Sequence, residues 1–112
     1  MKIVDWNQLP ELGVSHNPNI KKKTLIANGE IPQLKMFGTS VFKPGDEVEI
    51  HKHDSMFEVF LIQEGKAVFQ VNGEKHLLSK GNCITIAPGE LHAQSNPFDT
   101  DVSWIYFGIA TD

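Results

Sequence analysis

From Gln33 onward, turn-forming residues interrupt the chain at roughly 8- to 12-residue spacing, at Pro44-Gly45, Asp54-Ser55, Glu64-Gly65, Asn72-Gly73, Gly81, Pro88-Gly89 and Asn96-Pro97. No segment between two such breaks is long enough for an ordinary helix, and the segments themselves ("LKMFGTSVF", "EVEIHKH", "FEVFLI", "KAVFQV", "EKHLL", "CITIA", "LHAQS", "VSWIYFGIA") are rich in β-branched and aromatic residues. The pattern predicts an all-β sandwich or barrel of antiparallel strands. Asn72-Gly73 is the sharpest local signal: a two-residue type I' turn there pairs Val71 with Glu74 and Phe69 with His76.

Residues 1–32 read differently. Pro10, Gly13, Pro18, Gly29 and Pro32 break them into short pieces, which predicts an irregular N-terminal arm wrapped on a β-domain of residues 33–112, all within one domain. In "FEVFLI", Glu58, Phe60 and Ile62 share one face and Phe57, Val59 and Leu61 the other. An antiparallel strand with one wet face should alternate cleanly, so this two-sided apolar character, repeated in "WIYFGI", predicts a covered outer face. A homodimer is the expected cover.

With 112 residues, 40% of them hydrophobic and 21% charged, the chain has the composition of a globular domain. It has no apolar run of the length a membrane span needs, and its start, "MKIVDWNQLPEL", lacks the apolar centre of a secretory signal. A cytoplasmic location is expected. A formal charge of -4 gives no attraction to phosphate backbones, so nucleic acid is not an expected partner. The one basic run, Lys21-Lys22-Lys23, reads as a solvated segment edge rather than an anion site. All ten basic residues are lysines, and the absence of arginine removes the planar fork that grips carboxylates and phosphates in pairs. The single Cys83 excludes an internal disulfide and reads as a small core residue.

The chemistry concentrates in "HKHDSMFEVF". His51 and His53, at i and i+2, point to the same side of an extended chain. Glu58 would face away on an unbroken strand, but the turn-prone Asp54 and Ser55 can bend the chain and return it to the same target. Downstream, "GNCITIAPGELHAQSN" supplies His92. Gly45, His51, His53, Glu58 and Gly65 spell G-x5-H-x-H-x4-E-x6-G, and Gly81, Gly89, His92 and Asn96 follow the spacing G-x7-G-x2-H-x3-N. These two segments resemble the two motifs of the cupin family, departing only in Ala87 where that family has a proline.

The resemblance implies a small antiparallel β-barrel or jelly roll, with one divalent metal per chain held by His51, His53, Glu58 and His92. Nitrogen and oxygen donors suit Zn, Fe, Ni, Mn, Co or Cu. A metal-free polar cluster of the same four side chains is the alternative. His16 lies outside both motifs and reads as a surface or capping residue, and His76 as half-exposed on the hairpin. Trp104 and Tyr106 share a strand face, and with Met36, Phe60 and Gln70 they are candidates to line a pocket. Tyr106 is the one evident group for proton transfer. Cupins include dioxygenases, lyases, isomerases and binding modules, so the resemblance does not name a reaction. The expected function is a metal-dependent enzyme, dioxygenase- or lyase-like, acting on a small oxygen-bearing organic molecule. Two alternatives are a non-catalytic small-molecule or sugar-binding module and a sugar isomerase- or epimerase-like enzyme.

Overall fold

The computed structural model describes residues 1–112. Its strands follow the segments between the turn signals: β1 (Leu12–Val14), β2 (Asn17–Ile26), β3 (Leu34–Phe42), β4 (Glu47–His51), β5 (Met56–Glu64), β6 (Lys66–Val71), β7 (Glu74–Ser79), β8 (Cys83–Ile86), β9 (His92–Ser95) and β10 (Val102–Ala110). They form two sheets, a six-stranded one ordered β1-β2-β3-β10-β5-β8 and a four-stranded one ordered β4-β9-β6-β7. Every pairing is antiparallel. The architecture is the expected all-β jelly roll. The sole helix is one 3-10 turn at Trp6–Gln8, and no helix is long and apolar enough to cross a membrane.

The β6–β7 hairpin has the register its turn dictates, Val71 opposite Glu74 and Phe69 opposite His76. Asn72 and Gly73 both take positive φ, 50° and 84°, as a type I' turn requires. Gly65, between β5 and β6, is needed for a different reason: a Cβ there would run into the backbone carbonyl of Asp101.

The inward faces of the two sheets meet in a core built on Phe42, Phe60, Phe69 and Trp104, with Ile20, Ile62, Ile86 and Val102 around them. Phe42 and Phe69 pack on the Trp104 indole with ring centroids at 4.4 and 5.5 Å. Burial of such side chains contributes about 1.5–3 kcal/mol each. None of these core residues belongs to the cluster of histidines and Glu58.

Two readings of the sequence change. The first 32 residues are more regular than their prolines suggest: β2 hydrogen-bonds to β3 and buries Ile20 to 1% exposure. Pro18 is accommodated because it stands at the start of its strand, where a missing N–H is tolerated. Cys83 is exposed instead of core. It pairs with Leu61 on the outer face, while its neighbours Ile84 and Ile86 take the inward positions. The parity of β8 is set by Phe60, which lies opposite Ile84. His76 is exposed on β7.

Candidate metal centre

His51 is the last residue of β4, and its cross-strand partner is His92, the first residue of β9. Residues directly opposite in an antiparallel pair project to the same face, and the two rings lie with centroids 4.2 Å apart. The strand stops there. His53 lies in the bend that follows, its carbonyl accepting from Gly89 N–H at 2.8 Å, so the two motif segments are tied by backbone. Asp54 and Ser55 turn the chain, β5 begins at Met56, and Glu58 faces inward on the same side as Phe60 and Ile62. One imidazole pair and one carboxylate thus converge from opposing sheets, with His53 between them.

One ligand atom from each of His51, His53, Glu58 and His92 lies within 4.8 Å of the others. Glu58 Oε1 is 2.9 Å from His53 Nε2 and 3.0 Å from His92 Nε2. The Nδ1–H groups of His51 and His92 donate to the Glu49 and Glu90 carbonyls, at 2.7 and 2.9 Å. This fixes which nitrogen carries the proton and aims Nε2 at the centre, the arrangement metal-ligating imidazoles need. Three such nitrogens and a carboxylate suit a divalent transition ion, and the donor set fits one.

Burial disfavours the Glu58 carboxylate, but the hydrogen bond from His92 and the surrounding rings outweigh it and hold Glu58 below its ordinary 4.5. For His92 burial acts downward, and the hydrogen bonds to Glu58 and to the Glu90 carbonyl reverse it, raising His92 above 6.5. His51 is lowered, chiefly by burial. In the metal-free chain the raised His92 stabilises the fold below about pH 6.5, and that contribution is lost as pH rises through its folded value. The lowered Glu58 contributes above about pH 4.5 and is lost as pH falls through its folded value. Because an ion must displace the proton that Glu58 helps His92 retain, metal uptake is expected to release protons and to weaken as pH falls, beginning above pH 6.5. Titration with a metal indicator between pH 5.5 and 8 checks this. Uptake that stays flat across the range would contradict the coupling.

The cluster borders a cavity of about 770 Å³. Met36, Phe60, Trp104 and Tyr106 line it. Gln70 does not: on β6 the buried positions are Ala67 and Phe69, so Gln70 falls on the opposite face. The amide that does enter the cavity is Gln94, two residues after His92 on the same side of β9. Tyr106 stacks on Phe60 with centroids 5.8 Å apart. Its burial, and then the nearby Glu58 charge, push its hydroxyl up to about 12. It is a hydrogen-bond donor at neutral pH rather than a base. His16 is exposed as expected, yet its ring stacks on His51 at 4.1 Å. No spacing in the sequence points to that contact, which follows from the turn between β1 and β2 reaching β4, where Asn17 Nδ2 donates to the Glu47 carbonyl at 3.2 Å.

The cupin domain family matches residues 38–108, which include all four converging side chains. The chain belongs to the cupin family. Among curated proteins, this cupin is 31% identical over 73 residues to an oxalate-binding protein of Thermotoga maritima, a match spanning 65% of the chain and 60% of that relative. Among solved structures it is similar to a predicted oxalate decarboxylase of T. maritima, with a TM-score of 0.88 at 23% identity, covering 97% of this chain and 99% of the other. It also resembles a cupin-superfamily sugar phosphate isomerase of Silicibacter pomeroyi, with a TM-score of 0.81 at 17% identity, covering 98% and 76%. KdgF from a Halomonas species follows at 0.75 and 19%, covering 92% and 90%. At these identities the structural likeness is one of fold.

Proposed function

We propose that this cupin is a metal-dependent enzyme acting on a small oxygen-bearing organic acid, by lyase or oxygen chemistry. The observation that carries the reading is the convergence of three imidazoles and a carboxylate on the wall of a cavity that also presents Tyr106. His51, His53, Glu58 and His92 hold one divalent ion. When bound, that ion supplies Lewis acidity, or redox chemistry where it is Fe, Mn or Cu. Tyr106 donates a hydrogen bond to a substrate oxygen, and the Phe60 and Trp104 rings exclude water from one side of the cavity. The names of the oxalate-binding relative and of the oxalate decarboxylase-like neighbour support an acid as the ligand class.

The test is to load the chain with Mn(II), Fe(II) or Zn(II) and incubate it with oxalate, following dissolved oxygen, carbon dioxide and formate. Turnover that requires the ion supports the enzyme. Binding of oxalate without consumption would replace that reading with a capture module. That second reading has its own support: Tyr106 stays protonated at neutral pH, and Glu58, a member of the cluster itself, is the one cavity-lining carboxylate that is not exposed. A chain that neither binds nor consumes the acid would dismiss both.

We also propose that the cupin is a homodimer. Phe57, Leu61 and Ile109 are each about two-fifths exposed on the outer face of the six-stranded sheet. The arm covers only part of that face, where Trp6 Nε1 donates to Thr39 Oγ1 at 2.7 Å. An interface on the order of 2,000 Å² in total is expected. Light scattering should give twice the chain mass of 12.5 kDa. The monomer mass at micromolar concentration would rule the dimer out.

A further inference from the structure

The lysine run at residues 21–23 does not behave as one solvated edge. Lys21 Nζ caps the Pro18 carbonyl at 3.1 Å, and Lys23 lies over the Trp6 ring at 3.9 Å on the outer face. Lys22 has the opposite parity. Its cross-strand partner is Ser40, whose partner in turn is Trp104, and both are buried on the inward face. Lys22 is therefore directed inward from β2 and lines the cavity that borders the four-residue cluster. It is half-buried and forms no ion pair. Burial alone lowers its pKa, as expected for an ammonium with no counter-charge.

Gln94 supplies a second loose end. It is 9% exposed, it lines the same cavity, and its Oε1 has no hydrogen-bond partner. Buried polar groups are almost always satisfied, and one that is not asks for a missing partner. No hydrogen bond holds either end of the Gln94 amide, and a hydroxyl, which both donates and accepts, can answer either end. No carboxylate that lines the cavity pairs with Lys22: Glu58 is engaged by His53 and His92, and neither Asp54 nor Asp112 forms an ion pair with it. The cavity that borders the cluster is thus lined by an unpaired cation and an amide without a partner.

We infer that Lys22 and Gln94 form a substrate subsite for a hydroxy acid, in which Lys22 Nζ donates to a carboxylate of the ligand and the Gln94 amide hydrogen-bonds its hydroxyl. The inference rests on the reading that the metal-loaded cavity takes a small organic acid, and it narrows the class from simple carboxylates to those bearing a hydroxyl. The cavity volume of about 770 Å³ leaves room for more than a two-carbon acid.

The test compares malonate with hydroxymalonate, two dicarboxylates differing by one hydroxyl, by calorimetric titration of the full chain loaded with one equivalent of Zn(II). The wild-type chain should bind hydroxymalonate about tenfold or more tightly than malonate. Gln94→Leu should remove that preference. Lys22→Met should weaken both acids by about tenfold or more, and Lys22→Arg should recover most of the loss. Metal content and melting of each variant are measured alongside, so that a misfolded variant is recognised; Lys22 and Gln94 lie on different sheets and report independently. A preference that survives in folded, metal-loaded Gln94→Leu, or unchanged acid binding in Lys22→Met, would overturn the subsite while leaving the acid-binding reading intact. A wild-type chain that takes up Zn(II) but binds neither acid would overturn both.

Discussion

His53→Ala lowers the affinity of the chain for a divalent ion by more than about 100-fold, beyond the 10- to 100-fold typical of losing only an outer-shell partner, and leaves the barrel folded. Among the four converging residues His53 gives the cleanest experiment. It sits in the bend after β4 rather than in a strand, and its side chain is 30% exposed. His92, by contrast, is 1% exposed, and its truncation would open a hole in the packing. The apolar base of the barrel, built on Phe42, Phe60, Phe69 and Trp104, does not touch the change. Without metal, the variant and the parent should therefore melt within about 1 kcal/mol of each other. With metal at a hundredfold excess over its dissociation constant, the parent gains about 2.7 kcal/mol that the variant does not. Metal analysis and circular dichroism of the two chains separate the effects. Equal metal content would remove His53 from the ligand set. An unfolded metal-free parent would make the ion structural and weaken the enzyme reading.

Asn96→Ala destabilises the fold by roughly 2–4 kcal/mol, because it strands several buried partners at once. Asn96 is 0% exposed. Its Nδ2 donates to the carbonyls of Phe42 at 2.9 Å and Thr100 at 2.8 Å, and its Oδ1 accepts from Phe98 N–H at 3.0 Å. The side chain thus ties the end of β3 to the loop that leads into β10. Alanine supplies none of these groups, and in so confined a site water cannot easily replace them. A fall in melting temperature of about 10 °C is expected for a domain of this size, measured by thermal denaturation of the metal-free proteins. A fall of less than about 2 °C would mean that the loop finds other partners and that the amide is not the clamp described.

Both predictions concern positions that stand out in the sequence, but for different reasons. The histidines and Glu58 are legible because ligand chemistry restricts residue type, and the bend at Asp54-Ser55 makes the odd offset of Glu58 workable. Asn96 is legible only as a spacing; what it holds depends on where Phe42 and Thr100 come to lie. Gln70 and Gln94 mark the limit. Gln70 stands next to Phe69 and Gln94 two residues after His92, and only the inward burial of Phe69 and of His92 decides which amide reaches the cavity.

The motifs shared with the cupin family marked the four residues that meet at the centre, and local chemistry in the chain determined the strands from β3 onward, the register of the β6–β7 hairpin and the inward set Glu58, Phe60 and Ile62. Those features follow from turn propensities, two-residue alternation and donor type, all of which act over a few residues. Only the tertiary structure decided that Cys83 faces outward opposite Leu61, that His16 stacks on His51, and that Lys22, in the middle of a basic run, turns into the cavity. Each of these depends on the register between strands distant in sequence. A shift of one residue in that register exchanges every inward side chain for an outward one, and no short-range pattern in β2 or β8 carries that information.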